Sequence, residues 1–350
     1  MQSLDVLRGM VMLLIIGLGS VLWNVGALHR GTEWGRELQQ QMGHATWQGL
    51  HIYDLIFPLF VYLAGVALNF SLRKRLSRQQ SYPGLLWHMW YRAAVLVVLG
   101  WVVNGALVWE PQHMRYASVL GLIGISGALS GSIALLLRRS TALLSAVIII
   151  LSGIAAAQYW GGELTPAGCV NARIDALLCP GRLHNVHYDP EGPLCILSAT
   201  ALNLLGYLSG RIFSNTLSTG KRILVLVVGG ALLLGSGLCG PVIKNIWTPC
   251  FVLSAAGIGA ILLGFFHLLC DVCPRRSWCT FLLIVGSNAL FIYIVTNLVN
   301  LSAIAERLFA GTFRLMLPLE WMGTALSCAY LLLAWLLCFF LYRHRLFIKI

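Results

Sequence analysis

The stretch "DLIFPLFVYLAGVALNFSLRKR", residues 54–75, decides the fold class. Apolar side chains follow Leu55 almost without interruption, until Arg73, Lys74 and Arg75 end the run. A run of about 20 mainly apolar residues is long enough to cross the hydrocarbon core of a bilayer as a helix. Basic residues favour the cytoplasmic end of such a helix. The stretch therefore predicts a membrane-spanning helix whose C-terminal end faces the cytoplasm.

The rest of the chain repeats this pattern. It has 350 residues, of which 58% are hydrophobic and 10% are charged, so a water-soluble fold has too little polar surface to cover it. The apolar runs are continuous and lack the alternation of barrel strands, which leaves helices as the spanning elements. We predict an all-α fold, a polytopic transmembrane helical bundle that forms a single integral-membrane domain over residues 1–350. The runs cover roughly residues 10–28, 52–72, 85–108, 117–137, 141–160, 193–213, 221–240, 248–270, 279–297 and 322–341.

Lys and Arg are distributed unevenly between the connections. They are concentrated on the side of the N-terminus, for example in 73–78 and 343–349, whereas most Asp and Glu residues lie on the opposite side. Because basic residues stay on the cytoplasmic side, both termini are predicted to be cytoplasmic. Three long connections, about 29–51, 161–192 and 298–321, are then expected to face outward. The formal net charge of +12 is a topology signal, and nucleic acid is not an expected partner.

Three ionisable residues stand at the entrance to the second predicted span. Asp54 begins an apolar helix, and an ionisable residue inside a membrane segment costs about 2.5–3.5 kcal/mol on insertion scales. His51 precedes it by one helical turn, and His44 lies in the loop "HATWQG". Asp54 either caps or pairs within the bundle or orients a histidine, and the residues alone leave both roles open. His44 is able to take and return a proton near pH 7.

Two further outer connections carry polar groups. In "LHNVHYDPEGPL", residues 183–194, Asp189 and Glu191 precede the sixth span. These carboxylates either cap the start of the helix or line a site for a polyhydroxylated or cationic ligand. The connection "GPVIKNIWTP", residues 240–249, offers an ammonium, an amide and an indole, a mixture suited to a sugar. The side chains that carry these groups are Lys244, Asn245 and Trp247.

Cysteine usage is informative at two places among the ten cysteines. Cys169 and Cys179 lie in one outer connection, where oxidation would join them as a disulfide, and the pattern leaves their state open. The motif "CDVC", residues 270–273, has Cys279 as its one further neighbour. Structural zinc sites normally use four ligands. No metal site is predicted.

Seven stretches along nearly the whole chain are distinctive when taken together. They are "SLDVLRGM" (3–10), "HATWQGLHIYDLIFPLFVYLAG" (44–65), "YDPEGPL" (188–194), "LGYLSG" (205–210), "KNIWTPCFVL" (244–253), "GSNALFIYI" (286–294) and "LYRHRLFIKI" (341–350). The most specific are the His-x-x-Trp-x-Gly block that continues into Asp-Leu-Ile-Phe-Pro-x-Phe, and Asp-Pro-Glu-Gly. In these stretches and in their order, the chain resembles the heparan-alpha-glucosaminide N-acetyltransferase family with its bacterial members.

The resemblance implies a sugar N-acetyltransferase of the bacterial inner membrane, embedded in lipid. Acetyl-CoA, bound from the cytoplasmic side, would give its acetyl group to an amino sugar, or to the terminal glucosamine of an oligosaccharide, on the periplasmic side. The resemblance also implies a homodimer. It assigns the essential histidine to His44, the aspartate of the first block to Asp54, and the second motif to Asp189 and Glu191.

Acyl transfer of this kind needs a base, donors for the oxyanion and cations for the CoA phosphates. His44 is expected to act as general base or as an acetyl-carrying nucleophile, oriented by Asp54. An asparagine is expected to donate to the oxyanion, and arginine is preferred for phosphate. The predicted residues are catalytic His44, Asp54 and Asn245, substrate-binding Asp189, Glu191, Lys244, Trp247 and Asn288, and CoA-binding Arg8, Arg73, Lys74 and Arg92.

Two other functions compete with this one. A polytopic O-acyltransferase of another family also begins with Asp-x-Leu-Arg in its first helix, but there a histidine follows the arginine eleven positions later. Counted from Arg8, that position is Gly19 in this chain. A sugar transporter without chemistry fits the number of spans and the polar outer face. A transporter is expected to tolerate His44→Gln, whereas the enzyme is not.

Overall fold

The computed structural model describes residues 1–108, 110, 113–214, 216–273 and 278–347. Over these residues the chain is helical, and its isolated β-bridge joins Arg115 to Gly181. The predicted all-α class is confirmed. The helices are α1 (Gln2–Leu13), α2 (Gly19–Leu28), α3 (Glu33–Gln41), α4 (Ile56–Leu76), α5 (Tyr82–Val103), α6 (Val119–Leu136), α7 (Ser140–Trp160), α8 (Val170–Leu178), α9 (Pro193–Ile212), α10 (Thr219–Gly237), α11 (Pro249–Phe266), α12 (Cys279–Ser287), α13 (Ala289–Leu298), α14 (Leu301–Met316) and α15 (Met322–Arg343).

The membrane spans follow the predicted apolar runs. Among the described residues, nine helices are long and apolar enough to cross a membrane, or up to ten if the bent pair α12 and α13 is one span. The two halves of that pair meet at 67°, and Asn288 lies at the break. The first span begins at Gln2, earlier than predicted, and its first turns contain Asp5 and Arg8, whose side chains pair at 3.3 Å. A polytopic helical bundle is confirmed.

Each of the three long connections that the sequence predicts to face outward contains a helix that was not predicted. These are α3, α8 and α14. Local capping starts two of them: the Thr32 hydroxyl accepts the Gly35 N–H at 3.2 Å, and the Asn300 side chain accepts the Ala303 N–H at 3.0 Å. Charged residues interrupt α3 and α14, so a search for uniformly apolar runs passes over them.

The helices group into two compact units. The first comprises Met1–Ala45, His51–Ile56 and Phe265–Ile350. The second comprises Thr46–Leu50 and Phe57–Gly264. The single integral-membrane domain over the whole chain stays a prediction.

Glycine sets the packing of α1 against α12 in the first unit. A Cβ on Gly9 would lie 1.9 Å from the Leu282 carbonyl oxygen. A Cβ on Gly286 would lie 2.0 Å from the Asp5 carbonyl oxygen. The two backbones therefore touch at both points, in the way that small residues allow between membrane helices.

Helix α9 has the same kind of contact with α4 in the second unit. A Cβ on Gly65 would lie 2.0 Å from the Asn203 carbonyl oxygen, and one on Gly206 would lie 2.1 Å from the Tyr62 carbonyl oxygen. Helix α9 also packs on α6 and α7. It begins at Pro193, directly after the Asp-Pro-Glu-Gly motif, so a well-packed helix carries the turn that holds the two motif carboxylates.

Candidate functional site

His44 and Asp54 form a hydrogen-bonded pair in the first unit. The His44 Nδ1 lies 2.8 Å from Asp54 Oδ1. Because an ionised carboxylate only accepts, Nδ1 carries the proton and donates it, which leaves Nε2 of the neutral ring as a base. The His44 side chain is 56% exposed, whereas that of Asp54 is 1% exposed. The pair exposes an oriented imidazole and holds its carboxylate inside.

Two backbone groups hold the second oxygen of Asp54. Its Oδ2 accepts the N–H of Ala45 and the N–H of His51, each at 3.1 Å. Together with the His44 Nδ1–H, these donors compensate for burying the charge. His51 directly precedes the 3-10 turn Ile52–Leu55, which leads into α4. The end of the loop and the start of the helix thus fold onto one carboxylate, and this closes the ten-residue gap between histidine and aspartate.

The imidazole of His51 contacts a backbone carbonyl, whereas that of His44 contacts a carboxylate. The His51 Nδ1 lies 3.1 Å from the Gly43 carbonyl oxygen, which only accepts, so this nitrogen carries a proton. Nearby, the Gln41 side-chain oxygen accepts the Ile52 N–H at 3.1 Å. Both contacts tie the outer loop to the start of the second span. His51 therefore shapes the loop that presents His44.

Asp189 and Glu191 lie together in the second unit, where both bind Arg115. The Arg115 guanidinium donates to the two Asp189 oxygens at 2.7 Å and 2.6 Å, a bidentate pair, and it also donates to the Glu191 carboxylate. Both carboxylates are buried. This geometry favours a positioning role for the Asp-Pro-Glu-Gly turn, and direct contact of either carboxylate with substrate stays a prediction.

A third carboxylate, Asp175, completes this cluster. Its Oδ2 accepts the Asp189 backbone N–H at 2.9 Å, and its side chain is fully buried. Burial raises the pKa of Asp175 to about 6; the Asp189 N–H opposes this shift and the negative charge of Asp189 adds to it. Sequence reasoning treated Asp175 and Arg115 only as outer charges. A helical reading of 170–178 would have indicated that Asp175 is buried, because it lies one turn after Asn171 on the same face of α8, and Asn171 is buried.

The connection before α11 buries its indole. Lys244–Ile246 forms a 3-10 turn, and Trp247 then adopts a φ of 48°, which is uncommon outside glycine. The Trp247 ring meets the edges of Phe57 and Phe251 at centroid distances of 5.5 Å. Lys244 and Asn245 are half-buried. Burial indicates that Trp247 packs the turn, and sugar contacts of all three predicted residues, like an oxyanion role for Asn245, stay predictions.

Trp47, the tryptophan of the first motif, belongs to the second unit and packs within it. The Trp47 Nε1 donates to the Leu164 carbonyl oxygen at 2.7 Å. Its ring meets that of Tyr188 edge to face at 5.3 Å. Trp47 therefore packs against a buried hydrophobic cluster that includes Cys169, Tyr188 and Ile246, which accounts for an aromatic residue at this point of the motif.

Three of the predicted CoA-binding cations lie on the helices α1 and α4. Arg8 pairs with Asp5 inside the first span at 3.3 Å. Arg73 is exposed and donates to the Ser214 carbonyl oxygen at 3.3 Å. Lys74 is exposed at the end of α4. Their contacts with CoA stay predictions.

The fourth predicted cation, Arg92, belongs to a cluster. Arg75 Nη2 lies 2.7 Å from His88 Nε2, and the charges of both Arg75 and Arg92 act on His88. Arg75 donates to Nε2, so the His88 ring is neutral there, and the positive charge near the start of α5 comes from the two guanidinium groups. The sequence predicted Arg92 for its charge alone, because the approach of Arg75 to His88 depends on how α4 turns back into α5.

Asn288, the other predicted amide, is buried at the break between α12 and α13. Its backbone N–H donates to the Val285 carbonyl oxygen at 3.2 Å, and its own carbonyl oxygen accepts the Ile292 N–H at 3.0 Å. The backbone thus continues across the bend. A role for the Asn288 side chain in binding substrate or oxyanion stays a prediction.

Cys169 and Cys179 are free thiols, as are the other eight cysteines. Burial raises the pKa of Cys179 to about 11, and the charges of Asp175 and Asp189 add to this shift. Burial also raises the pKa of Cys169. Both thiols are therefore protonated and unreactive near neutral pH. Within the described part of the chain, no group of three or more His, Cys, Asp or Glu side chains is placed to hold a metal ion.

A surface cavity of about 630 Å³ opens in the second unit, in the loop that leads to Asp189. The His184 backbone N–H, on its wall, donates to Asp189 Oδ2 at 2.9 Å, so the carboxylate cluster shapes the cavity. A guanidinium, an imidazole and an amide there offer hydrogen bonds to a polyhydroxylated ligand. The lining residues are Ala176, Cys179, Gly181, Arg182, Leu183, His184, Asn185 and Val186.

Comparison with known proteins supports the motif resemblance. No family model matches the chain. The chain is 24% identical to heparan-alpha-glucosaminide N-acetyltransferase of Homo sapiens over 84% of its own length and 52% of that protein. It is 27% identical to the Mus musculus protein of the same name over 36% of its length and 18% of that protein. The resemblance is confirmed, and the chain spans about half the length of the human relative that it matches.

Proposed function

We propose that the chain is a membrane acetyltransferase that moves an acetyl group from acetyl-CoA to the amino group of a glucosamine-type sugar. The observation that carries this proposal is the His44–Asp54 pair, an exposed imidazole whose Nδ1 is fixed at 2.8 Å by a buried carboxylate. A histidine oriented in this way is the usual general base of acyl transfer. The named relatives supply the class of reaction and of acceptor.

The chemistry follows from the tautomer of His44. Its Nε2 takes a proton from the acceptor amine, and the amine nitrogen attacks the thioester carbonyl carbon. The tetrahedral intermediate then expels the CoA sulfur, which leaves as the thiol once it receives a proton from the imidazolium. Asp54 stabilises the imidazolium while the proton resides there. In the alternative route His44 itself carries the acetyl group, and the two substrates then react in separate steps.

We favour direct transfer in a complex of both substrates. The contact with Asp54 occupies Nδ1 and supports the charged imidazolium, which is what a general base needs. Initial-rate kinetics separate the routes, because direct transfer gives intersecting double-reciprocal lines and an acetyl-histidine route gives parallel ones.

The proposed orientation places both termini in the cytoplasm of a bacterial cell, with the chain in the inner membrane. Counting the bent pair as one span gives ten spans among the described residues, an even number, which supports placing the two termini on the same side. The excess of Lys and Arg on that side supports the assignment. His44 then faces the periplasm, and the cluster of Arg75, His88 and Arg92 faces the cytoplasm, where it suits the phosphates of CoA. A homodimer also remains part of the proposal.

The test is an acetylation assay with protein purified in detergent, labelled acetyl-CoA and glucosamine. Wild type is expected to form N-acetylglucosamine, while His44→Ala and Asp54→Asn lose most of this activity. The matched control is His113→Ala, because His113 is an exposed outer-loop histidine with a long 4.0 Å contact to Glu110. This control is expected to match wild type. Saturable sugar uptake into vesicles without any acetylated amine would establish a transporter and defeat the enzyme.

A further inference from the structure

The first span contains a bulge that requires glycine. A π-helical turn, Leu14–Leu18, separates α1 from α2, and Gly17 within it has a φ of 148°. Side chains rarely adopt this backbone conformation, whereas glycine does so freely. A Cβ on Gly17 would also lie 3.0 Å from the Tyr330 ring. Such π turns are uncommon and are frequent at functional sites.

Gly19, directly after this bulge, touches the ring of Tyr53. A Cβ on Gly19 would lie 2.7 Å from Tyr53 Cε2 and 2.9 Å from the Leu14 carbonyl oxygen. No side chain fits at this position, so the Tyr53 ring rests on the backbone of the first span. The bulge thereby provides a fixed support for the aromatic ring.

The Tyr53 ring also contacts His44. The two ring centroids are 5.0 Å apart, with the planes tilted by 53°. The hydrogen bond to Asp54 restrains one atom of the imidazole, Nδ1, and by itself does not define the tilt of the ring. Contact with a second ring restricts that tilt, and therefore restricts the direction in which Nε2 points.

We propose that Tyr53 is a positioning residue for His44, and that the glycine bulge of the first span holds Tyr53 in place. Tyr53 and Asp54 are neighbours on the 3-10 turn Ile52–Leu55, so one turn presents the ring contact and the carboxylate together. The role belongs to the ring and not to the hydroxyl. The inference rests on the proposed function, since it concerns the direction in which Nε2 of His44, the proposed base, points.

The test compares Tyr53→Leu with Tyr53→Phe, which keeps the ring, and Gly19→Ala with Gly127→Ala. The control glycine, Gly127 in α6, has open space where a Cβ would be. Tyr53→Leu and Gly19→Ala are expected to lower kcat about tenfold or more, with the KM for acetyl-CoA unchanged, because misaligned bases lose rate. Tyr53→Phe and Gly127→Ala are expected to stay within about twofold of wild type.

A second measurement needs no acetyltransferase activity. Diethylpyrocarbonate modifies imidazole, and peptide mass spectrometry gives the rate at His44 relative to the exposed His113. We expect His44 to be modified at least about threefold faster in Tyr53→Leu than in wild type or Tyr53→Phe, because the ring covers one side of the imidazole. This rate tests the positioning role even if wild type acetylates nothing, a result that would count only against the proposed function.

Two results would overturn the inference. One is a Tyr53→Leu variant with wild-type kcat and a wild-type modification rate at His44. The other is a Tyr53→Phe variant as impaired as Tyr53→Leu, since the hydroxyl would then carry the effect. If Gly19→Ala fails to fold, the pair of Tyr53 variants decides the question.

Discussion

Replacing Asp175 with asparagine is expected to stabilise the protein at alkaline pH. The Asp175 Oδ2 accepts the Asp189 N–H at 2.9 Å, and an asparagine oxygen accepts the same bond. The other oxygen, Oδ1, has no hydrogen-bond partner among the described residues. An amide has the shape of the carboxyl group, so it fits the same space without the negative charge.

The size of the effect follows from the pKa of Asp175, which burial raises from 3.8 to about 6. A carboxyl group with a raised pKa in the folded state stabilises the fold when protonated, so this stability is complete below pH 4 and is lost as the pH rises through about 6. A shift of about 2 units corresponds to about 3 kcal/mol at most. Relaxation of the loop reduces this, and we expect a gain of about 1–3 kcal/mol for the variant at pH 8.

The assay is thermal unfolding in detergent at a fixed heating rate, followed by tryptophan fluorescence between pH 4 and pH 8. Asp175→Asn and wild type are expected to unfold at nearly the same temperature at pH 4, and the variant is expected to unfold several degrees higher at pH 8. The control is Glu163→Gln, which removes an exposed outer-loop carboxylate. A difference that does not change with pH, or a variant less stable than wild type at pH 8, would refute the reasoning.

Three further changes test other parts of the structure. Arg115→Ala leaves two buried carboxylates without their cation, and we expect a loss of about 3–5 kcal/mol, measured as a lower unfolding temperature. Gly286→Ala places a Cβ 2.0 Å from the Asp5 carbonyl oxygen, and separating α1 from α12 should cost about 1–3 kcal/mol in the same assay. Asp54→Asn is expected to lower kcat by a factor of about 100 or more in the acetylation assay, because the amide no longer fixes the tautomer of His44.

Each of these changes has its own control. For Arg115→Ala the control is Arg182→Ala, which removes an exposed arginine from the connection that contains Asp189. This control is expected to leave the unfolding temperature unchanged. Gly235→Ala adds a methyl group where there is open space, and it is expected to behave as wild type. If Arg115→Ala or Gly286→Ala unfolds at the temperature of its control, the described packing is wrong. For Asp54→Asn, retention of wild-type kcat would remove Asp54 from the mechanism.

The structure bears on the competing O-acyltransferase function through Gly19. That class carries a histidine eleven positions after the first-helix arginine, which corresponds to this position. Here even a Cβ would approach Tyr53 to 2.7 Å, so there is no room for an imidazole at position 19. The exposed histidine beside Tyr53 comes instead from the outer loop, as His44.

Hydropathy determined the spans because it is a local and continuous property. A helix must satisfy its backbone within itself in lipid, so each long apolar run becomes a helix wherever the other runs pack. Hydropathy also identified Asp54, because an ionisable residue at the start of an apolar span is costly to insert into a membrane. It also explains why α3, α8 and α14 were missed: at 9, 9 and 16 residues they are shorter than a membrane span, and charged residues divide their apolar positions.

The pairing of functional groups was decided by the tertiary structure. His44 reaches Asp54 because the loop folds back onto the helix start, where the backbone N–H groups of Ala45 and His51 share the same carboxylate. Arg115 reaches Asp189 across 74 residues of chain. A residue's type and its sequence spacing fix the chemistry it is able to perform. Which partner satisfies a buried charge depends on where distant backbone comes to lie, and no periodicity in the sequence encodes that.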